Sequence, residues 1–179
     1  MPGSSNADQR SAARVPAGEI GGTAASGDAD AASVGQRVEF YVIDDAVPVA
    51  RLKLACRLAE KAFLADQRVL MWHSDVEELK KLDDLLWTFA DRSFVPHAIW
   101  GPGISLEDTP VLLTSGALPE CPFDILINLS ADVPACAQQV PRIAEIIDGD
   151  ENRRREGRAR FKTYRDRGIQ PVTHNIRAE

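Results

Sequence analysis

Nowhere in these 179 residues is there a glycine-rich phosphate cradle: neither G-x-x-x-x-G-K-[ST] nor G-x-G-x-x-G occurs. The array of backbone N–H groups that holds nucleotide phosphates is therefore missing, and Gly101-Pro102-Gly103 is too short to replace it and reads as a turn. Cysteine is scarce and odd in number. Cys56, Cys121 and Cys136 are widely spaced, without the close pairing of a structural zinc site or a disulfide framework, so reduced thiols are expected. No apolar run approaches the ~18 residues of a membrane span, and the N-terminus lacks the basic start and apolar stretch of a secretory signal. A soluble, cytoplasmic protein with no membrane association is the expectation.

What is present is an uneven distribution of charge. The net charge of -6 divides into -2 over residues 1–36, -9 over the middle and +5 over residues 151–179. A body so acidic repels phosphate backbones, which confines any nucleic-acid contact of its own to the basic end. Residues 1–36, rich in Ala, Gly, Ser and Asp, carry too little apolar surface to offset the entropy of ordering, so a disordered extension is expected there.

From Arg37 the chain reads as one α/β domain. Val38, Phe40 and Val42, with Tyr41 and Ile43, form a buried strand that stops at Asp44-Asp45. Leu52, Ala55, Cys56, Ala59, Ala62 and Phe63 then recur at helical spacing. Arg68–His73 is a second strand. Ser74 or Asp75 caps a second helix with acidic Glu77-Glu78 in its first turn, running through Leu79, Leu82, Leu85, Leu86 and Phe89. Shorter strands follow at His97–Trp100, Val111–Thr114, Asp124–Leu129 and Arg142–Ile147, the last read as strand because β-branched residues crowd it before Asp148-Gly149. A basic helix closes at Gly168, with Pro171 soon after. The alternation predicts a single three-layer domain with a mainly parallel sheet flanked by helices, nucleotide-binding-like but without a phosphate loop. Its expected span is 37–170, with 171–179 as a tail.

Three sets of residues bear on chemistry. Asp44 and Asp45, at a strand end, have the composition of a magnesium or nucleophile site, but no lysine or serine partner motif accompanies them, and a solvated strand end or helix-entry cap explains them as well. His73, His97 and His174 are isolated from any Ser or Cys signature and read as structural. Trp87 and Phe94, seven residues apart, suit either the core or the lining of a peptide groove. The basic helix is the sharpest signal, because Arg158, Phe161, Lys162 and Arg165 share one face. That face fits a solvated charged surface, a single-stranded nucleic-acid contact, or the capture of an acidic peptide ending in an apolar anchor.

Taken in order, Glu39-Phe40-Tyr41-Val42-Ile43-Asp44, Arg68-Val69-Leu70, Leu82-Asp83-Asp84-Leu85-Leu86-Trp87, Ser93-Phe94-Val95-Pro96-His97, Asp124–Leu129 and Arg158–Arg165 resemble the chi subunit of bacterial DNA polymerase III over about residues 37 to 170. The resemblance implies a noncatalytic accessory protein of the clamp-loader assembly that needs no cofactor or metal. Its implied partners are the acidic C-terminal peptide of single-stranded-DNA-binding protein and, where present, the psi subunit, with contact to nucleic acid mainly indirect. Carried over by position, it implies a peptide site at Trp87, Phe94, Ile147, Arg158, Phe161 and Lys162, with Arg158 and Lys162 meeting carboxylates and the other four forming an apolar pocket. Some relatives have tyrosine where this chain has Phe161, which removes a hydroxyl and keeps the packing. The competing expectation is a nucleotide- or phosphate-processing enzyme centred on Asp44 and Asp45.

Overall fold

A computed structural model describes residues 35–177 apart from 45 and 119; the expectation for the N-terminal extension therefore falls, but for Gly35 and Gln36, outside the described residues. Seven parallel strands form one sheet in the order β3-β4-β2-β5-β6-β1-β7. The strands are β1 (Arg37–Ile43), β2 (Val69–Trp72), β3 (His97–Ile99), β4 (Val111–Thr114), β5 (Ile125–Asn128), β6 (Arg142–Ile147) and β7 (Val172–Ile176). Helices α1 (Pro48–Phe63) and α2 (Val76–Thr88) cover one face, and α3 (Glu151–Asp166) covers the other.

The two-residue period of each strand divides the core between these faces. Ile43, Val69, Met71, Leu113, Ile127 and Ile146 pack with Ala55, Ala59, Leu79, Leu82 and Leu86 on the α1/α2 side. Phe40, Leu70, Leu112, Leu126, Ile143 and Ile147 pack with Tyr164 on the α3 side. The central strands β2, β4 and β5 are buried along their whole length, which explains their continuous apolar runs.

Local chemistry sets the helix ends. Pro48 opens α1, where a missing N–H costs nothing. The Asp75 carboxylate accepts from the Glu77 N–H at 2.8 Å to cap α2, and Asp150 accepts from the Arg153 N–H at 3.0 Å to cap α3. Gly168, at φ 82°, ends α3. Its N–H reaches the Arg165 carbonyl at 2.9 Å and the Ile169 N–H reaches that of Tyr164 at 3.1 Å, a Schellman closure that needs the left-handed backbone glycine adopts freely.

The segment expected to be a tail is instead part of the sheet: Val172–Ile176 pairs in parallel with β1 from Glu39↔Val172 to Ile43↔Ile176. Val-Thr-His-Asn-Ile lacks a buried strand's apolar run because it is an edge strand, mostly exposed. Tertiary contacts hold it. The His174 ring stacks on Tyr41 with centroids 5.0 Å apart, and its Nε2 lies 3.1 Å from Glu39. Order likewise reaches Gln36, whose amide donates to the carbonyls of Ala137 and Val140.

Candidate peptide-binding groove

Two concavities flank α3. The larger, about 640 Å³, lies where β2 and β5 end. From there the chain departs toward opposite edges of the sheet, the position at which open α/β folds usually bind ligands. Arg51, His73, Ser74, Ser130, Arg153 and Arg160 are among its lining residues. Its cations already have partners. Arg160 donates to Glu145 at 2.8 Å and to the Ala131 carbonyl at 2.9 Å. Arg153 donates to Asp148 at 2.7 Å, Lys81 pairs with Glu78 at 2.7 Å, and Arg51 donates to the Leu129 carbonyl at 2.7 Å. Burial, then the neighbouring Arg51, hold His73 below the usual imidazole range. Glu78, Asp150 and Glu156 share the lining, so the cavity is neutralised from within and a phosphate would meet carboxylates.

Beneath α3 the reason for this engagement is structural. Glu145 is wholly buried on β6 and accepts from Arg160, from the Tyr164 hydroxyl at 2.8 Å and from the Asn128 amide at 3.1 Å. Burial pushes its carboxyl up, against the opposing pull of Arg160, Asn128 and Tyr164. A buried charge so surrounded fixes the helix over the strand.

The smaller concavity, about 270 Å³, runs along the other side of α3. Its floor is Phe40 and Val42 of β1 with Ile147 of β6. Its walls are Arg154, Gly157, Arg158 and Phe161 of α3, and Thr173 of β7 closes the edge. Phe161 tilts against Phe40 with centroids 5.2 Å apart. Gly157 is there because the helix approaches β6 so closely that a Cβ would collide with the Ile147 Cδ1 atom. Among the described residues neither Arg158 nor Lys162, both exposed, has a carboxylate within ion-pair distance. Arg154 lies 3.7 Å from Asp44 in an exposed pair.

Of the six residues expected to form one site, Ile147, Arg158 and Phe161 meet in this groove. Lys162 stands one turn beyond Arg158 on the exposed surface of α3, outside the groove lining. Trp87 and Phe94 are elsewhere. They lie with α2 near β3, at the opposite edge of the sheet and on its opposite face, so the two groups do not share a pocket. Trp87 is 53% and Phe94 68% exposed, their rings 5.8 Å apart, and Trp87 also packs on His97 at 4.6 Å. The six positions carried over from the resemblance therefore do not line one pocket in this structure, because position along the chain carries no information on which face each helix covers.

Phe40, Val42, Arg154, Gly157 and Thr173 were not anticipated as groove residues. For Phe40 and Val42 the signal existed in their i, i+2 spacing, and for Arg154 in its i, i+4, i+7 relation to Arg158 and Phe161. His97 and His174 make structural contacts, while His73 lines the larger cavity. The His97 side chain is fully buried, with Nδ1 2.6 Å from the Val95 carbonyl. Asp44 is exposed beside Arg154 and absent from the larger cavity, while Asp45 lies outside the described residues. Among the described residues no cluster of three His, Cys, Asp or Glu is placed to hold a metal, and no helix is long and apolar enough to cross a membrane.

Residues 36–172 match the family model described as DNA polymerase III chi subunit, HolC. This chain belongs to the DNA polymerase III chi subunit family. It is 37% identical over 142 residues to the Pseudomonas aeruginosa DNA polymerase III subunit chi, covering 78% of this chain and 96% of that protein. The subunits chi of Haemophilus influenzae and Escherichia coli are 24% and 26% identical, over 77% and 73% of this chain and 96% and 91% of their own lengths. A chi subunit is an accessory component of a DNA-replication enzyme, and the matched segment contains the α3 groove, apart from Thr173 at its edge, and the Trp87–Phe94 pair.

Proposed function

We propose that this chi-family chain is a noncatalytic adaptor that joins the polymerase III clamp-loader assembly to single-stranded-DNA-binding protein by holding that protein's acidic C-terminal peptide in the α3 groove. The observation that carries the reading is an apolar floor beside two exposed cations that have no carboxylate partner among the described residues. A terminal aromatic ring would lie on Phe40, Ile147 and Phe161, a burial that contributes about 1.5–3 kcal/mol. The terminal carboxylate and nearby aspartates would accept from Arg158 and Lys162. Exposed charge pairs of this kind give an affinity that falls with salt.

An adaptor needs a second contact. The exposed Trp87–Phe94 pair, set apart from the groove, suits the tether to the clamp loader, supplied by a psi subunit where one is present. Isothermal titration with the partner's C-terminal peptide tests the groove. Heat and saturation with the full peptide, and neither with a peptide lacking its last aromatic residue, are expected; equal heats from both would refute the pocket. In a mobility-shift assay, single-stranded DNA should move only once single-stranded-DNA-binding protein is added.

A further inference from the structure

On the α3 face of the sheet, a third cavity of about 280 Å³ is lined in part by Trp72, Leu118, Cys121, Pro134 and Cys136. Cys121 lies in the segment leading into β5, and Cys136 lies in the short 3-10 helix Ala135–Gln139 that follows β5. Both side chains are half-buried, both pack against the α3-side core, and both border the same cavity. Each thiol is the largest influence on the other's ionisation. Its neighbour Cys121 brings the Cys136 thiol down to about 7 against the push of burial. The neighbouring Cys136 and burial push Cys121 up. Cys56 is a contrast within the molecule, because it is sealed on the inner face of α1 and burial pushes it up to about 12.

A thiol that opens onto a cavity, is drawn toward ionisation and shares that cavity with a second thiol has the arrangement of an attacking and a resolving cysteine. We propose that Cys121 and Cys136 are a redox-responsive dithiol that closes to an intramolecular disulfide by exchange with a low-molecular-weight disulfide of the oxidised-glutathione class. The Cys136 thiolate attacks one sulfur of the small disulfide, forming a mixed disulfide and releasing one small thiolate. Cys121 gives up its proton, and its Sγ attacks the Cys136 Sγ and expels the second small thiolate. The protein loses two electrons and two protons, and the small disulfide is reduced to two thiols. The new bond ties the entrance of β5 to the 3-10 helix beyond it, next to Trp72.

The test uses the reduced, full-length protein incubated with oxidised glutathione, quenched by an alkylating reagent and mapped by mass spectrometry, with circular dichroism confirming that it stays folded. The expected product is a linked pair of peptides containing Cys121 and Cys136, reversed by dithiothreitol, with Cys56 recovered as a free thiol. Cys121→Ser should stop at a stable glutathione adduct on Cys136, and Cys136→Ser should remain unmodified over the same interval. Oxidised wild type should melt at a higher temperature than reduced wild type, a shift absent from both variants. Wild type that keeps both thiols free, or that accumulates the glutathione adduct as Cys121→Ser does, overturns the proposal. So does cross-linking between molecules instead of within one.

Discussion

The cavity at the ends of β2 and β5 is more than twice the volume of the α3 groove, about 640 against 270 Å³. Its arginines are held by Glu145, Asp148 and backbone carbonyls, whereas Arg158 and Lys162 beside the groove have no carboxylate partner among the described residues. One helix thus uses the same residue type in two ways. Arg160 faces inward and is 7% exposed, satisfying a buried carboxylate. Arg158, two positions earlier, projects outward over apolar floor. Size alone would select the larger concavity. The availability of charge, judged with its partners counted, favours the smaller one as a docking surface.

The largest effect expected from separating these roles is on stability. Arg160→Ala leaves Glu145 buried without its cation, and urea unfolding should show a loss of about 3–5 kcal/mol. Arg158→Ala and Lys162→Ala should leave the unfolding midpoint within error and weaken peptide binding by about 1–3 kcal/mol each in the titration. A destabilised Arg158→Ala, or an Arg160→Ala of wild-type stability, would erase the distinction.

Acid titration probes the strand that closes the groove. Glu39, on the face of β1 opposite Phe40, accepts from Arg142 at 2.6 Å and lies beside Arg37 and His174. Burial pushes its carboxyl up, but these partners, Arg142 first, hold it below the usual carboxylate range. A carboxyl depressed on folding contributes stability that is present above its unfolded pKa and lost as pH falls through its folded pKa. Glu39→Gln should therefore cost about 1–3 kcal/mol near neutral pH, and the gap to wild type should close as pH drops below about 4. A gap that does not change with pH would show that the ion pairs of Glu39 contribute nothing.

Two smaller effects sharpen the geometry. Gly157→Ala gains up to about 1 kcal/mol of helix propensity but must displace the Ile147 side chain. A near-neutral melting temperature with weakened peptide binding is expected, and unchanged binding would show that Ile147 is not part of the floor. Trp87→Ala with Phe94→Ala should leave the peptide titration unchanged while abolishing co-purification with a psi subunit. A loss of peptide heat in that double variant would restore the single six-residue site.

Much of this architecture was legible along the chain. The alternation of Val38, Phe40 and Val42, the caps at Asp75 and Asp150 and the glycine stop at Gly168 are local effects, so they fix element types and helix ends without reference to the rest of the fold. The concentration of cations on α3 was equally plain. Not legible was β7, a polar five-residue strand that exists only because β1 offers it a pairing edge. Nor could spacing show that Arg160 is engaged while Arg158 has no carboxylate partner among the described residues, since Glu145 reaches the helix from a strand fifteen residues earlier.

By itself, then, the sequence determined a parallel α/β domain with a basic final helix and no phosphate loop, because periodicity, capping and charge act over a few residues. Tertiary structure alone decided which of those residues stand together. The sheet order β3-β4-β2-β5-β6-β1-β7 sends Trp87 and Phe94 to one edge and gathers Phe40, Ile147 and Phe161 at the other. Parallel pairing joins strands that are distant in sequence through long crossovers, and neither the neighbour of a strand nor the face a helix covers is encoded in any short stretch of chain.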